Sequence, residues 1–151
     1  MDVTSIVGKT IRAIWVFRSE GVHPAWIDSN TLPIIAFGAF LEFVDGGFVR
    51  ISPCELSPSS DRYPSLSLEL RPCAQEEMHY VSPEGHRLEA ERLAEAHSLL
   101  PFVVTGAEMS DPLGEDAITQ YSLSADDGRV VSFRHVMPPM TLGISVATST
   151  N

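Results

Sequence analysis

The sequence predicts an α+β fold that is mainly β: an antiparallel sheet, closed as a partly open barrel or packed as a sandwich, built from two related halves with one helix between them. Three observations carry this. Residues 39–52, AFLEFVDGGFVRIS, alternate apolar and polar side chains on both sides of Asp45-Gly46-Gly47, the period of two half-buried strands joined by a tight turn. Residues 121–134, YSLSADDGRVVSFR, repeat the arrangement 82 positions on, with Leu123 aligned on Leu41, Asp127-Gly128 on Asp45-Gly46, Val131 on Val49 and Phe133 on Ile51. Between them, residues 83–100 carry helix signals. With 151 residues, 44% of them apolar, the chain has the length of a single domain, one that buries roughly 70% of its unfolded surface.

Residues 9–17, KTIRAIWVF, are rich in β-branched and aromatic types and form the first expected strand, with Gly8 marking the turn before it. Ser19-Glu20-Gly21 is a loop, and Trp26 lies between Pro24 and Pro33 in an irregular stretch. In the first hairpin a three-residue loop, Asp45-Gly46-Gly47, places its left-handed residue at Gly47. That register sets Leu41 opposite Ile51 and Phe43 opposite Val49 on a buried face, and Glu42 opposite Arg50 on a wet one. Residues 53–64, with three prolines and three serines, read as a surface loop, and Leu66, Leu68 and Leu70 mark a third strand.

Ser82-Pro83-Glu84 reads as a helix start: a capping hydroxyl, a proline where no donor is needed, and an acid at the positive end of the dipole. Ala90, Leu93, Ala96 and Leu100 share one face of the helix expected over 83–100. Residues 101–105 form a strand, residues 108–116 an acidic loop, and residues 140–147, carrying Leu142, Ile144 and Val146, the last strand. The halves, 1–75 and 98–147, thus form a possible duplication within one domain spanning 1–151. The plainer alternative is that Asp-Gly hairpins are common in any β-rich protein.

Charge is the more informative composition signal. Residues 1–71 hold eight acids and six bases, residues 72–128 twelve acids and two bases, and residues 129–151 two bases and no acid. A field of that sign repels nucleic-acid phosphate and anionic lipid and steers a basic partner inward. It also describes an ordinary solvated face. Glu108, Asp111, Glu115 and Asp116 in one loop, with Asp126 and Asp127 at the second hairpin's tip, make one anionic rim if loop and tip share an end of the sheet. Exposed tryptophans favour binding hot spots, which adds Trp26 as a partner-binding candidate.

Catalytic motifs are absent: no GxSxG, no GxxxxGK[ST] or GxGxxG, no HExxH. Neither a cofactor nor a metal is therefore expected, since Cys73 and His79 have no partner at ligand spacing. Cys54 and Cys73 read as free thiols. With one lysine and nine scattered arginines, direct nucleic-acid binding is not expected. No apolar run approaches the ~20 residues that span a bilayer, and MDVTSIVGKT lacks a secretory pattern, so a cytoplasmic protein that does not enter membranes is the expectation. Two other classes stay open. One is a small-ligand-binding or accessory module using the concavity of a half-open barrel, with Trp26 and Tyr63 near its mouth. The other is an enzyme of unrecognised type, for which His135, of the same strand parity as Val131 and Phe133, is the best single candidate.

A small, acidic, β-rich chain with the paired segments FLEFVDGGFVRIS and YSLSADDGRVVSFR is similar in general character to the immunity proteins of bacterial toxin systems. The resemblance implies a non-catalytic inhibitor that binds a cognate toxin, for instance a nuclease whose groove is built for phosphate. It further implies that the six acids named above meet basic residues of that partner.

Overall fold

The alternating stretches form strands that run antiparallel to every neighbour. In the computed structural model, which describes residues 2–18, 34–56, 65–136 and 141–148, there are twelve. They are β1 (Thr10–Arg18), β2 (Ile34–Phe43), β3 (Phe48–Leu56), β4 (Ser65–Cys73), β5 (His79–Val81), β6 (Arg87–Glu89), β7 (Glu91–Arg92), β8 (Phe102–Val103), β9 (Gly106–Ser110), β10 (Gln120–Ser124), β11 (Arg129–Val136) and β12 (Thr141–Thr148). Short 3-10 helices at Val3–Ile6, Gln75–Met78 and Ala94–Leu99 complete the described elements. Trp26, Tyr63, the Ser19-Glu20-Gly21 loop and residues 57–64 of the serine-rich loop lie outside the described residues.

The large sheet has the order β4-β3-β2-β12-β11-β10-β9, with β1 also paired to β2. Ala36 pairs with Arg18 of β1 and with Leu142 of β12, so these strands flank it on opposite sides. Ala39 likewise sits between Val16 and Ile51. Before Ala39, then, β12 takes the side of β2 that β3 occupies from Ala39 on, and the two meanders join there. Residues 102–110 close the curl at the other end. β8 pairs with Thr10 and Ile11, the Gly8 N–H donates to the Val104 carbonyl (2.7 Å), the Thr105 N–H to that of Ser124 (2.8 Å), and β9 then pairs along all of β10. The result is a curled half-barrel, mainly β, as the sequence predicts.

Its interior is apolar. Ile11, Ile14, Val16, Leu41, Phe43, Val49, Ile51, Leu123, Val131, Phe133, Leu142 and Ile144 are all buried, and the 3-10 helices contribute Val3, Ile6, Ala96 and Leu99. A second, smaller cluster lies on the other face of β1 and β2, where Phe17, Phe40 and Met78 pack with Trp15, Phe48, Leu88 and Ala90. The side of the first hairpin expected to be wet is therefore half covered, by the excursion that carries β5 and β6.

The three hairpin turns share one design. In the first, the Gly46 N–H donates to the Phe43 carbonyl and the Phe43 N–H to the Gly47 carbonyl (both 2.9 Å), with Gly46 at φ +92°. In the second the same bonds join Gly128 to Ala125 and Ala125 to Arg129, with Gly128 at φ +88°. Asp45 Oδ1 accepts from the Gly47 N–H (2.8 Å) and Asp127 Oδ1 from the Arg129 N–H (3.1 Å), one turn echoing the other. The left-handed residue is the first glycine of the pair, so the loop is Val44-Asp45-Gly46, one residue earlier than expected. Leu41 consequently faces Val49, Ala39 faces Ile51, and Glu42 faces Phe48. Because this moves each partner by two, every side chain keeps its expected face.

The third such turn replaces the start of the expected helix. Gly85 (φ +87°) donates to the Ser82 carbonyl, the Ser82 N–H donates to the His86 carbonyl, and Ser82 Oγ accepts from the His86 N–H (3.0 Å). The hydroxyl, the proline and the acid that resemble a helix start serve equally as the first turn of this loop, and Gly85 ends it. β5 and β6 then pair, β7 adds to β1 at Trp15 and Val16, and only Ala94–Leu99 is helical. Leu93, Ala96 and Leu99 are buried at a spacing of three, the period of a 3-10 helix rather than of the expected α-helix over 83–100.

Two further expectations are corrected. β3 continues through Pro53 to Leu56 in register with β4, so residues 53–56 are strand and not loop. Pro53 lies just past the last β2–β3 pair, where no donor is required, and Pro72 shares the parity of Leu66 and Leu68, whose N–H groups point off the sheet. Residues 106–110, partly assigned to the acidic loop, are β9. Gly106 marks the close approach there, since a Cβ on it would stand 2.6 Å from Ser124 Oγ.

Candidate functional site

The acids predicted to form one rim do not lie together. β10 runs from the loop of residues 111–119 at its start to the 126–127 turn at its end, so the two acidic places are at opposite ends of a five-residue strand, roughly 13 Å apart. Glu108 sits between them in β9, opposite Ser122. A single rim of all six is thus excluded by the antiparallel path of β9 and β10.

Their chemistry differs as well. Asp111 organises its own loop: its carboxylate accepts from the Glu115 N–H (3.0 Å), the Asp116 N–H (2.9 Å) and the Thr119 hydroxyl (3.0 Å). The Glu115 N–H foremost, with those other donors, holds the Asp111 carboxyl below its ordinary value. Glu115 Oε1 accepts from the Leu66 N–H (3.2 Å), tying the loop to β4. Asp127 caps its turn and meets Arg129 Nε at 2.6 Å. Glu108, Asp116 and Asp126 stand exposed.

A wider acidic surface replaces the rim. Of the twelve acids in residues 72–128, nine are exposed: Glu76, Glu84, Glu89, Glu91, Glu95, Glu108, Asp116, Asp126 and Asp127; none is buried. The first five lie on the excursion outside β1, and four of them, Glu84, Glu89, Glu91 and Glu95, fall in the stretch expected to be a helix. The charge count of the segment was the signal for them, and only their placement was missing. Among this surface's bases, Arg92 lies over the Trp15 ring (5.1 Å) and lines, with Arg12 and His97, a recess of about 180 Å³. Arg12 Nε is in turn 2.8 Å from Glu42 Oε2.

At the opposite side the half-barrel stays open. β4 is laced to the loop before β10 where the Leu68 N–H donates to the Ile118 carbonyl (2.7 Å) and Ser67 Oγ donates to the same oxygen (3.1 Å). Beside this seam is a cavity of about 560 Å³ walled mainly by Leu56, Leu68, Leu70, Ile118 and Tyr121, with Cys54, Glu55 and Glu69 among its polar groups. The sequence pointed to a concavity of this kind, but its walls come from residues some 50 positions apart, which no local pattern reveals. Cys54 and Cys73 are free thiols. Burial pushes the Cys54 thiol above its ordinary value, which keeps it protonated and poorly nucleophilic at neutral pH.

His135 is fully buried, its Nδ1 2.6 Å from the Ser67 carbonyl, and its own N–H donates to the Thr119 carbonyl. A carbonyl only accepts, so Nδ1 carries a proton there and the imidazole pins β11 to β4. Among the described residues no three His, Cys, Asp or Glu side chains group as metal ligands, and no helix is long and apolar enough to cross a membrane. The chain matches no protein-family model, no curated protein sequence and no solved structure.

Proposed function

We propose that this chain is a protein-binding inhibitor, an immunity protein that neutralises a cognate bacterial toxin in the cytoplasm of the producing cell. The observation that carries the reading is the acidic segment: twelve acids and two bases over residues 72–128, with nine of the acids exposed and none buried. Such a surface draws a basic partner at long range and competes with phosphate for a nuclease groove. The loop hydrogen bonds that engage Asp111 and Glu115 leave Glu108, Asp116 and Asp126 as the freest contacts on the β9–β11 side, and Glu76 and Glu84 on the excursion.

The test is association with the product of the adjacent gene, measured at low and high salt. Reversing Glu108, Asp116 and Asp126 to lysine slows association roughly ten-fold at low salt and flattens its salt dependence. The pair Glu76→Lys and Glu84→Lys does the same if the excursion is the contact. An association rate that neither set alters rules out the acidic surface.

A further inference from the structure

We propose that the open cavity between β4 and β10 is a binding site for a small amphipathic cation, an apolar body carrying an ammonium group. Its volume of about 560 Å³ lies within the range of sites that hold small molecules. The walls are aliphatic or aromatic: Leu68, Leu70 and Tyr121 are buried, and Leu56 and Ile118 complete the lining. Its charged members are both carboxylates, Glu55 and Glu69, exposed at the rim on neighbouring strands. No base is among the described lining residues.

The remaining polar groups are neutral. Burial keeps the Cys54 thiol protonated, and the Ser67 hydroxyl is already donated to the Ile118 carbonyl. Burial foremost raises the Tyr121 phenol above its ordinary value, and the negative charge of Glu69 pushes it the same way, so the phenol is neutral too. An apolar chamber with two carboxylates at its mouth stabilises a positive head group and repels an anionic one. Strand addition to this edge is disfavoured, because the outward N–H groups of Leu66 and Leu68 are taken by Glu115 and Ile118. A small molecule needs neither.

The experiment is calorimetric titration of the full chain with n-octylammonium, 1-octanol and n-octanoate, probes of equal chain length and different charge. The ammonium is expected to bind about five-fold tighter than the alcohol and the carboxylate weakest. In Glu55→Gln/Glu69→Gln the preference disappears while the alcohol binds as before; both positions are exposed, so folding is kept. Location is read in Cys73→Ser, where saturating ammonium slows iodoacetamide alkylation of Cys54 about ten-fold. Binding of none of the probes, equal binding of ammonium and carboxylate, or an unprotected Cys54 overturns the proposal. These arms use neither the acids nor the partner of the inhibitor reading, so either can fail alone.

Discussion

The two long hairpins, β2–β3 and β10–β11, close with the same turn and bury the same positions, yet their other faces have opposite fates. At positions 82 apart, Phe40 and Arg50 in the first correspond to Ser122 and Ser132 in the second. Phe40 is fully buried, edge-on to Phe17 at 5.2 Å and 88°, and Arg50 lies over both rings (5.9 and 5.4 Å). Ser122 and Ser132 instead meet each other through their hydroxyls (3.2 Å), and Arg134 Nε donates to Gln120 Oε1 (2.7 Å). The difference is the excursion of β5 and β6, which covers β1 and β2 and brings Met78 and Leu88 against them. A turn is thus a local property of its residues, while the wetness of a strand's second face depends on what the rest of the chain lays over it.

The largest effect that can break this comparison is at its centre. Phe40→Ala should cost about 3–5 kcal/mol in urea unfolding, because it empties the second cluster. Ser122→Ala, at the corresponding position, should cost about 1 kcal/mol or less, since only two partly exposed bonds, to Ser132 and Gln120, are lost. Equal costs would mean that the excursion does not protect the first hairpin.

The turns provide the converse test. Gly46→Ala and Gly128→Ala each force a Cβ into φ near +90° and should each cost about 1–2 kcal/mol, the two values agreeing within error. A large inequality would show that the two loops are not energetically alike.

The smallest effect sharpens the contrast through pH. On the covered side Glu77 accepts from Arg71 Nη2 (2.5 Å) and from the Ala74 N–H (3.0 Å), and chiefly the Arg71 bond brings its pKa from 4.5 down to about 2. A depressed carboxyl contributes stability above its unfolded value that is lost as pH falls, here between 4.5 and about 2. Glu77→Gln should cost about 0.5–1 kcal/mol at neutral pH, a figure reduced for the pair's partial exposure, and should flatten the acid limb in that window. The Arg134–Gln120 bond of the second hairpin is neutral on one side, and Gln120→Ala should leave that limb unchanged.

The acids follow the same division between local and distant causes. Their number and segregation were legible in the chain, but the expected rim required the 111–119 loop and the 126–127 turn at one end of the sheet. β10 between them is a single strand, so they cannot meet. The cavity was less legible still, because Leu68, Ile118 and Tyr121 meet only through the seam at Leu66 and Leu68.

By itself the sequence determined the two Asp-Gly turns and the inward sets Leu41, Phe43, Val49, Ile51 and Leu123, Val131, Phe133, because a left-handed turn residue and a period of two act over a few neighbours. Even the two-residue error in register left those faces intact. Tertiary structure alone decided that residues 83–93 would be strands and turn, although their spacing suits a helix. Pairing of β6 with β5 and of β7 with β1 satisfies much of their backbone, and covering Leu88, Ala90 and Leu93 outweighs a weak helical preference. Only the closing of the curl, which joins β1 to residues 102–110 and leaves β4 open, decided where the acids stand and where a cavity remains.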